Sequence, residues 1–324
     1  MIYMLFDNPG DKKNMEFLNS SSYGTSSIKQ EYPKTKCNSI KEMINACLEC
    51  VEKSSDGDTI VCWFDFMGIL CWWICQFKRQ KRQIVVLNIL LKEKNTLKNK
   101  IARLLYKIAL KSKNVQATVT SQEYGKWINN LLNINKEYTL LHDIYHGGYT
   151  LENSENINPK SVFCGGRNGR NWEFLFDLAA NMPDVEFNCV MSKEKYQQYK
   201  DKFEENINAK YDIPEKDFLD LMCQSSLIVM PLETEAPAGL IALFQAAANE
   251  RPILTSDTVT TREYFNNDRG ILCKDSIEDW KVKITYYLEH RNEAEEKIRC
   301  FKEYLETECS EQKYAETLRK ILNI

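Results

Sequence analysis

The chain has 324 residues, of which 43% are hydrophobic and 27% charged, a composition typical of a folded protein of about two domains rather than a disordered or collagen-like chain. Its formal net charge of −3 conceals an asymmetry. Residues 1–150 hold 21 basic and 14 acidic residues, whereas the remainder holds 22 and 32. The two halves are therefore predicted to meet different partners.

The cysteines and the first apolar run indicate where the chain works. The run from Ile2 to Phe6 has no basic segment before it and no small-residue cleavage site after it, so we expect no cleaved signal peptide. The 12 cysteines are scattered, which favours reduced thiols and a cytoplasmic location. The pairs Cys47/Cys50 and Cys71/Cys75 lack further ligands at zinc spacing, so we expect no metal site.

In chain order, the first half alternates short β-rich runs with helical patterns, which predicts βαβ units and a parallel sheet. Ser39 and Glu42 form a capping box at the start of a helix that runs to Glu52. The predicted strands are Ile2 to Phe6, Thr59 to Trp63, Gln83 to Asn88 and Gln116 to Thr120. The last helix of this half is expected from near Ser121 to about Leu132.

The stretch from Ile60 to Phe77 is apolar enough to be compared with a membrane span, which needs about 20 apolar residues. Asp65 lies near its start and Gly68 interrupts it. A carboxylate within lipid is costly, so we predict a strand that ends near Asp65 and a buried helix from about Phe66 to Phe77.

A cationic amphipathic helix is predicted from Leu97 to Leu110, inside a stretch from Lys78 to Lys113 that holds twelve basic residues and one acid, Glu93. Its apolar residues at helical spacing are Leu97, Ile101, Leu104, Leu105, Ile108 and Ala109. One interpretation is a helix packed on the core with a solvated basic face. The alternative is docking on an anionic membrane surface. Nucleic acid is disfavoured, because the helix offers only Tyr106 for base stacking.

The second half begins after a polar segment, residues 151–160, that has the composition of a linker. Further strands and helices then alternate, which predicts a second doubly wound α/β domain. The predicted strands are Ser161 to Cys164, Val185 to Val190, Ser226 to Met230 and Pro252 to Thr255; the predicted helices are Trp172 to Ala180, Pro214 to Cys223 and Leu240 to Ala248.

Two loops of this half follow strands, where ligands bind in such sheets. The first, residues 165–171, is rich in glycine and carries Arg167 and Arg170. Backbone N–H groups and a helix N-terminus can hold a phosphate at such a turn, and the arginines add charge. The second, Glu233 to Gly239, leads into an apolar helix.

Gly166-Arg167 with Arg170, Pro231 through Leu240, and Gln245 to Pro252 together resemble the carboxy-terminal domain of nucleotide-sugar glycosyltransferases of the GT-B fold. The closest group is the retaining family 4 type, common in bacterial polysaccharide and capsule synthesis. The resemblance covers residues 160–270, and the first half only in its order of elements. It implies two doubly wound parallel-sheet domains that face a central cleft. The acceptor-side domain would be residues 1–150 and the nucleotide-sugar domain residues 151–324, with the last helix a candidate to return to the first domain.

The resemblance also implies roles for particular residues. Arg167 matches the arginine that holds the donor diphosphate, and Arg170 is the nearest candidate for a second cation. Glu235 best matches the acid that contacts the donor sugar, and we expect it to be catalytic. Gln245 stands where a second acid would bind the ribose, ten residues later rather than eight. The predicted donor-binding set is Gly166, Arg167, Arg170, Ala238, Gly239, Leu240 and Gln245.

Other candidates for chemistry are fewer. Asp56-Gly57-Asp58 imitates a metal-binding Asp-x-Asp motif but precedes a strand, so a turn is expected. The resemblance implies that neither metal nor cofactor is needed, and the residues agree, since two arginines and a helix N-terminus can stabilise a diphosphate leaving group. A general base stays unassigned among His142, His146 and Asp65, the last of which is equally suited to cap a helix.

The leading hypothesis is therefore a retaining glycosyltransferase that moves a sugar from a nucleotide sugar to a saccharide or lipid-linked acceptor in surface polysaccharide synthesis. It would be cytoplasmic, with the basic helix as a peripheral membrane contact. One alternative is a non-catalytic, glycosyltransferase-like binding protein, suggested by Gln245 in place of an acid. The other alternative is a nucleotide-sugar epimerase. An epimerase would need acidic and histidine side chains clustered in the cleft, and the chain has only three histidines.

Overall fold

A computed structural model describes residues 1–147, 157–266 and 268–324. The strands are β1 Ile2–Leu5, β2 Ile28–Glu31, β3 Thr59–Cys62, β4 Gln83–Val86, β5 Val115–Val119, β6 Thr139–Leu140, β7 Asn158–Gly165, β8 Glu186–Met191, β9 Ile207–Tyr211, β10 Ser225–Met230, β11 Ile253–Ser256 and β12 Ile271–Cys273. The helices are α1 Ile40–Lys53, α2 Asp65–Lys78, α3 Leu97–Leu110, α4 Gln122–Leu132, α5 Trp172–Ala180, α6 Lys193–Tyr199, α7 Glu215–Gln224, α8 Leu240–Ala248, α9 Thr261–Tyr264, α10 Ile277–Glu289, α11 Arg291–Glu308 and α12 Glu311–Leu322. Short 3₁₀ turns cover Pro9–Lys12, Glu16–Asn19, Ser21–Tyr23 and Lys200–Lys202.

The chain divides into two compact units: unit 1, residues 1–146 and 309–324, and unit 2, residues 147–308. Unit 1 contains a parallel six-stranded sheet in the order β2-β1-β3-β4-β5-β6. Helices α1, α2, α3 and α4 connect successive strands and contact one another in that sequence. The predicted capping box is present, since the Ser39 hydroxyl accepts from the Glu42 N–H and the Glu42 carboxylate accepts from the Ser39 N–H.

Helix α12 completes unit 1. Its Tyr314 and Leu318 are buried in one cluster with Met4, Phe6 and Met15 from the start of the chain. The side chain of Phe6 also stacks on Tyr32, with ring centroids 4.5 Å apart. The last helix therefore supplies part of the core of the first unit.

Unit 2 contains the second parallel six-stranded sheet, in the order β12-β11-β10-β7-β8-β9. Strand β7 is central, paired with β10 on one side and β8 on the other. The core of unit 2 includes the fully buried side chains of Leu175 and Cys189 and the indole of Trp280. Because all strands are parallel, the loops after β7, β10 and β11 emerge at one edge of the sheet.

The predicted alternation of strands and helices is confirmed in both units, and α3, α5 and α8 have the predicted ends. Strand β7 begins at Asn158 rather than Ser161, so the last part of the predicted linker is strand. Residues 151–156 of that linker lie outside the described residues. The apolar stretch from Ile60 to Phe77 forms β3 and α2, and no helix in the described ranges is long and apolar enough to cross a membrane.

One sequence expectation about α3 is wrong. The apolar residues attributed to a face packed on the core include four that point outward, namely Leu97, Ile101, Leu104 and Ile108, which are 40–75% exposed. The core contacts are made instead by Tyr106, Ala109 and Leu110. Tyr106 is therefore buried and offers no stacking surface to a nucleic acid.

Candidate functional site

The site is built where the loops after β7 and β10 meet. An isolated antiparallel β-bridge between Arg170 and Leu232 joins the first loop, residues 166–171, to the second, residues 231–239. The Asn171 N–H donates to the Pro231 carbonyl at 2.9 Å, and the Glu233 N–H donates to the Gly169 carbonyl at 2.9 Å. The two glycine-containing loops therefore form one continuous structure at the carboxyl edge of the sheet.

Three glycines allow this close approach. Gly166, Gly169 and Gly239 have φ values of 133°, 71° and 81°, a region that side chains with a Cβ rarely adopt. A Cβ at Gly169 would lie 2.6 Å from the Cβ of Ala238, and one at Gly239 would lie 2.5 Å from the sulfur of Met230. Each position therefore requires glycine for backbone conformation and for space.

The side chain of Arg170 fills the space that these glycines leave. Its Nε donates to the Gly165 carbonyl at 2.9 Å and its Nη1 to the Asn168 carbonyl at 3.0 Å. A Cβ at Gly166 would lie 2.5 Å from Nη2, and one at Gly239 would lie 2.7 Å from Nη1, so the guanidinium lies between the two loops. Arg170 is only 5% exposed.

The charge of Arg170 is not balanced by any carboxylate in the described ranges, since its hydrogen bonds all go to carbonyl groups. Burial lowers the pKa of its guanidinium, and the neighbouring Cys164 opposes that shift only in part. Buried charges in proteins are normally paired. An unpaired guanidinium in this loop therefore marks a place where an anion can bind.

The N-terminus of α8 lies against the same guanidinium. The helix begins after Gly239 without a side-chain cap and has no acidic residue in its first turn. Over the described part of the chain, no hydrogen bond engages the N–H groups of Ala238, Gly239 or Leu240. A helix N-terminus carries a partial positive charge, so two positive groups lie side by side here, an arrangement that favours the binding of an anion.

Arg167, the other predicted phosphate ligand, is placed differently. Its side chain is 73% exposed and donates to Asp212 at 3.1 Å, at the end of β9. The Asp212 carboxylate also accepts from the Lys193 N–H at 3.3 Å. The structure therefore pairs Arg167 with Asp212 at the surface, whereas Arg170 is buried.

Glu235 is half-buried, and both its side chain and its backbone accept hydrogen bonds from the turn after β11. Its carboxylate accepts from the Val259 N–H at 2.8 Å, and its carbonyl accepts from the Thr260 hydroxyl at 2.7 Å. Thr258 and Thr261 brace this turn after β11 through reciprocal hydrogen bonds of 2.9 and 3.1 Å. The turn was not among the predicted site residues, although the run of threonines after a strand is a signal for it.

Gln245 lies one and a half turns after the start of α8 and is half-buried. The neighbouring Leu243 and Phe244 belong to the core, so the helix is fixed in its rotation. The structure thus places Gln245 on the helix whose N-terminus meets Arg170, on the side that is not fully buried.

The remaining candidates lie in unit 1. Asp65 is 4% exposed, and its carboxylate accepts from the Phe66 N–H, the Leu90 N–H and the Tyr106 hydroxyl at 2.7–2.8 Å. Burial raises the pKa of Asp65 to about 6, and these hydrogen bonds oppose the rise. The carboxylate is an internal acceptor that joins three segments of unit 1.

The two histidines have separate surroundings. The Nδ1 of His146 lies 3.0 Å from the Glu311 carboxylate, so this ring joins the end of the first segment of unit 1 to α12. His142 is half-buried beside Asp143, whose pKa is raised by burial. Neither placement assigns a general base.

The Asp56-Gly57-Asp58 segment is a turn, with Gly57 at φ 88°. Asp56 forms an ion pair with Arg82, and Asp58 accepts from the Ser55 N–H at 2.7 Å. Within the described ranges, no group of three metal-ligating side chains is placed to hold an ion.

Comparison with protein families gives one match, to the family described as glycosyl transferase-like, over residues 167–323. A search of curated proteins finds no match. The family match begins at Arg167 and includes the rest of the first loop and all of the second.

Comparison with solved structures extends the similarity to the whole chain. HepE of Anabaena, solved with UDP and glucose, has a TM-score of 0.70 at 12% identity, covering 100% of this chain and 99% of its own. Sucrose-phosphate synthase of Thermosynechococcus elongatus has a TM-score of 0.76 at 12% identity, with 100% and 98% covered. WaaG, a glycosyltransferase involved in lipopolysaccharide biosynthesis, has 0.67 at 12%, with 99% and 98% covered. The predicted two-domain, GT-B-like α/β fold is confirmed.

Proposed function

We propose that this chain is a glycosyltransferase of the GT-B type that moves a sugar from a nucleoside diphosphate sugar to a saccharide acceptor with retention of the anomeric configuration. The observation that carries the proposal is the buried, unpaired guanidinium of Arg170 against the uncapped N-terminus of α8. A diphosphate between them would compensate both positive groups. The HepE structures with UDP and UDP-glucose support a uridine donor as the first candidate.

The same arrangement suits the chemical step. The bond between the anomeric carbon and the diphosphate oxygen breaks, and its electron pair stays on the diphosphate, which gains negative charge. Arg170 and the N–H groups of Gly239 and Leu240 would stabilise that charge from fixed positions. The acceptor oxygen would form the new bond to the anomeric carbon on the face that the diphosphate leaves, and its proton would pass to the departing diphosphate oxygen. We expect this stabilisation to work without a metal ion, so chelation should leave turnover unchanged.

Arg167 can take part by moving. Its ion pair with Asp212 lies at the surface, where such pairs contribute about 0–1 kcal/mol. Turning the side chain toward a bound diphosphate therefore costs little. We propose Arg170 as the fixed cation and Arg167 as a second cation that adds to it when the donor binds.

Glu235 would contact the donor sugar. The hydrogen bond from the Val259 N–H orients its carboxylate, and the Thr260 hydroxyl fixes the backbone beside it. Gln245 would hydrogen-bond the ribose, since an amide offers both donors and an acceptor to a diol. The acceptor would be a saccharide or lipid-linked saccharide of a surface polysaccharide, by analogy with WaaG.

The test begins with thermal shift and calorimetry of the full chain with UDP, GDP, CMP and their sugars. We expect one diphosphate to bind, and Arg170→Ala to abolish that binding. Lys302→Ala is the matched control, because it removes a cation paired with Glu250 elsewhere in unit 2. Transfer is then measured against saccharide acceptors, and the configuration of the product anomer is read by NMR.

The outcomes separate the alternatives. Binding of no nucleotide would overturn the proposal. Binding without transfer or hydrolysis would favour the non-catalytic alternative, for which Gln245 is the sequence observation. Conversion of the nucleotide sugar to its epimer, without an acceptor, would indicate an epimerase. Inverted product would retain the glycosyltransferase and reject the retaining mechanism.

A further inference from the structure

Helix α3 carries apolar side chains on two opposite faces. Successive residues of an α-helix are about 100° apart, which places Leu97, Ile101, Leu104 and Ile108 within a sector of about 60°. These four side chains, here called the outer stripe, are 75%, 53%, 56% and 40% exposed. The buried residue Tyr106 lies about 180° away from the centre of the stripe. The stripe is therefore an apolar surface that the core of unit 1 does not use.

The inner face fixes the rotation of the helix. The Tyr106 hydroxyl donates to Asp65 at 2.7 Å, and Ala109 and Leu110 are fully buried. The Thr96 hydroxyl also caps the helix by accepting from the Asn99 N–H. Because the inner contacts are specific, turning the outer stripe inward would break them. The stripe is a stable feature of the folded surface.

Cations border the outer stripe. Lys100, Lys107 and Lys111 lie on one flank and Lys98 on the other, and residues 97–111 contain no acidic residue. Within the described part of the chain, these four lysines form no ion pair. The surface therefore combines exposed aliphatic side chains with unneutralised positive charge.

The end of the neighbouring helix α2 carries an exposed aromatic side chain. Helices α2 and α3 contact each other and run in the same direction, since each leads from the carboxyl end of one parallel strand to the next strand. Phe77, in the last turn of α2, is 81% exposed, and its ring centroid lies 5.9 Å from that of Trp73. Lys78, which pairs with Glu52, follows it directly, and Arg79 and Lys81 come next. Exposed aromatic rings beside cations are typical of membrane-interface contacts.

We propose that the outer stripe and its lysines dock unit 1 on an anionic membrane surface. The aliphatic side chains would enter the boundary between headgroups and acyl chains, and the lysines would contact the lipid phosphates. A second copy of the chain is a poorer occupant, because it would bring two lysine-rich faces together. The proposal rests on α3 and α2 and not on the donor chemistry of unit 2.

Vesicle co-sedimentation of the full chain tests the docking. We expect binding to vesicles of phosphatidylcholine mixed with phosphatidylglycerol, weak binding to phosphatidylcholine alone, and loss of binding at high salt. Lys100→Gln with Lys107→Gln should weaken binding about 25-fold, which is about fivefold for each lysine. Leu104→Glu should weaken it at least tenfold.

The control is Val282→Glu, which places the same charge at a 58% exposed position on α10 of unit 2 and should leave vesicle binding unchanged. Since Leu104 is exposed, Leu104→Glu should also retain the melting temperature and the nucleotide-induced shift. Retained nucleotide binding with lost vesicle binding separates this proposal from the proposed function.

Three results would overturn the docking: no binding to anionic vesicles, equal binding to neutral ones, or binding that Leu104→Glu leaves unchanged. Concentration-dependent self-association that Leu104→Glu abolishes would instead make the stripe an interface between copies. Capture of vesicles by a variant with the nucleotide site disabled would support the docking independently of catalysis.

Discussion

Replacing Arg170 by methionine separates donor binding from folding. The substitution keeps the unbranched stem of the side chain and removes the guanidinium with its charge. Two hydrogen bonds to the Gly165 and Asn168 carbonyls are lost, each worth about 1.5–3 kcal/mol for a charged donor. The burial of an unpaired cation costs several kcal/mol, and that cost is also removed. We therefore expect the free energy of unfolding to change by less than about 2 kcal/mol, because the two effects oppose each other.

The effect on the donor has no such compensation. A bound diphosphate would lose its charge-assisted contact while its own charge stays buried, a loss of about 2–5 kcal/mol. The dissociation constant for the nucleoside diphosphate should therefore rise between about 30-fold and several thousand-fold. Calorimetric titration with the nucleotide that the wild-type chain binds measures this change, and urea unfolding measures stability. Arg170→Lys should be intermediate, because it keeps the charge but not the planar fork.

Two results would refute this reasoning. An unchanged dissociation constant in a folded Arg170→Met variant would mean that the guanidinium does not face the diphosphate. A loss of more than about 4 kcal/mol in stability would mean that the arginine is a structural connection between the loops, comparable to a broken buried pair.

Three further predictions follow from the site and from unit 1. Glu235→Gln should lower kcat at least about 100-fold while the nucleoside diphosphate still binds, because the amide still accepts from the Val259 N–H; a change in melting temperature without a change in kcat would make Glu235 structural. Gly239→Ala should lower the free energy of unfolding by about 1–3 kcal/mol and weaken nucleotide binding, since its Cβ would lie 2.7 Å from Nη1 of Arg170 at a φ of 81°. Urea unfolding and calorimetric titration measure the two effects. Gly57→Ala is the control for backbone strain alone, because Gly57 has a φ of 88° and open space around it. Tyr106→Phe should cost more near pH 7 than near pH 4, because the lost hydroxyl donates to a carboxylate whose folded pKa is about 6; equal losses at both pH values would contradict an ionised Asp65. The raised pKa of Asp65 also means that the folded chain binds more protons than the unfolded chain between about pH 4 and 6. The free energy of unfolding therefore falls as the pH rises through that window, and this group causes no further loss above it.

The sequence predicts the fold well where side chains have one strong preference. The helix Leu240–Ala248 is apolar except for Gln245 and lies between Gly239 and Pro252, so both of its ends are specified locally. Strands Ile28–Glu31 and Ile207–Tyr211 are missed because they lie at sheet edges, where most of their side chains are polar and only Ile28 is fully buried. Periodicity has little apolar signal to detect in such strands.

The candidate site is predictable in its loops but not in its geometry. Glycine spacing and strand order correctly place Arg167 and Arg170 at the carboxyl edge of the sheet. Which arginine turns inward depends on the conformation of three glycines and on the bridge to residues 231–233, and neither is visible in spacing. The same limit explains α3, because a count of apolar residues at helical spacing assumes that they share one buried face. The exposed stripe can be recognised only from the structure, in which the hydrogen bond from Tyr106 to Asp65 fixes the opposite face of the helix inward.

The place of α12 in unit 1 sets the order in which the chain can fold during synthesis. Tyr314 and Leu318 pack against Met4 and Phe6, so the core of unit 1 stays incomplete until the ribosome has produced all of unit 2. Unit 2 is one continuous segment and can fold as soon as it emerges. The amino-terminal unit is therefore expected to mature last, and its unfinished apolar surface is the part of the nascent chain that a chaperone would hold longest.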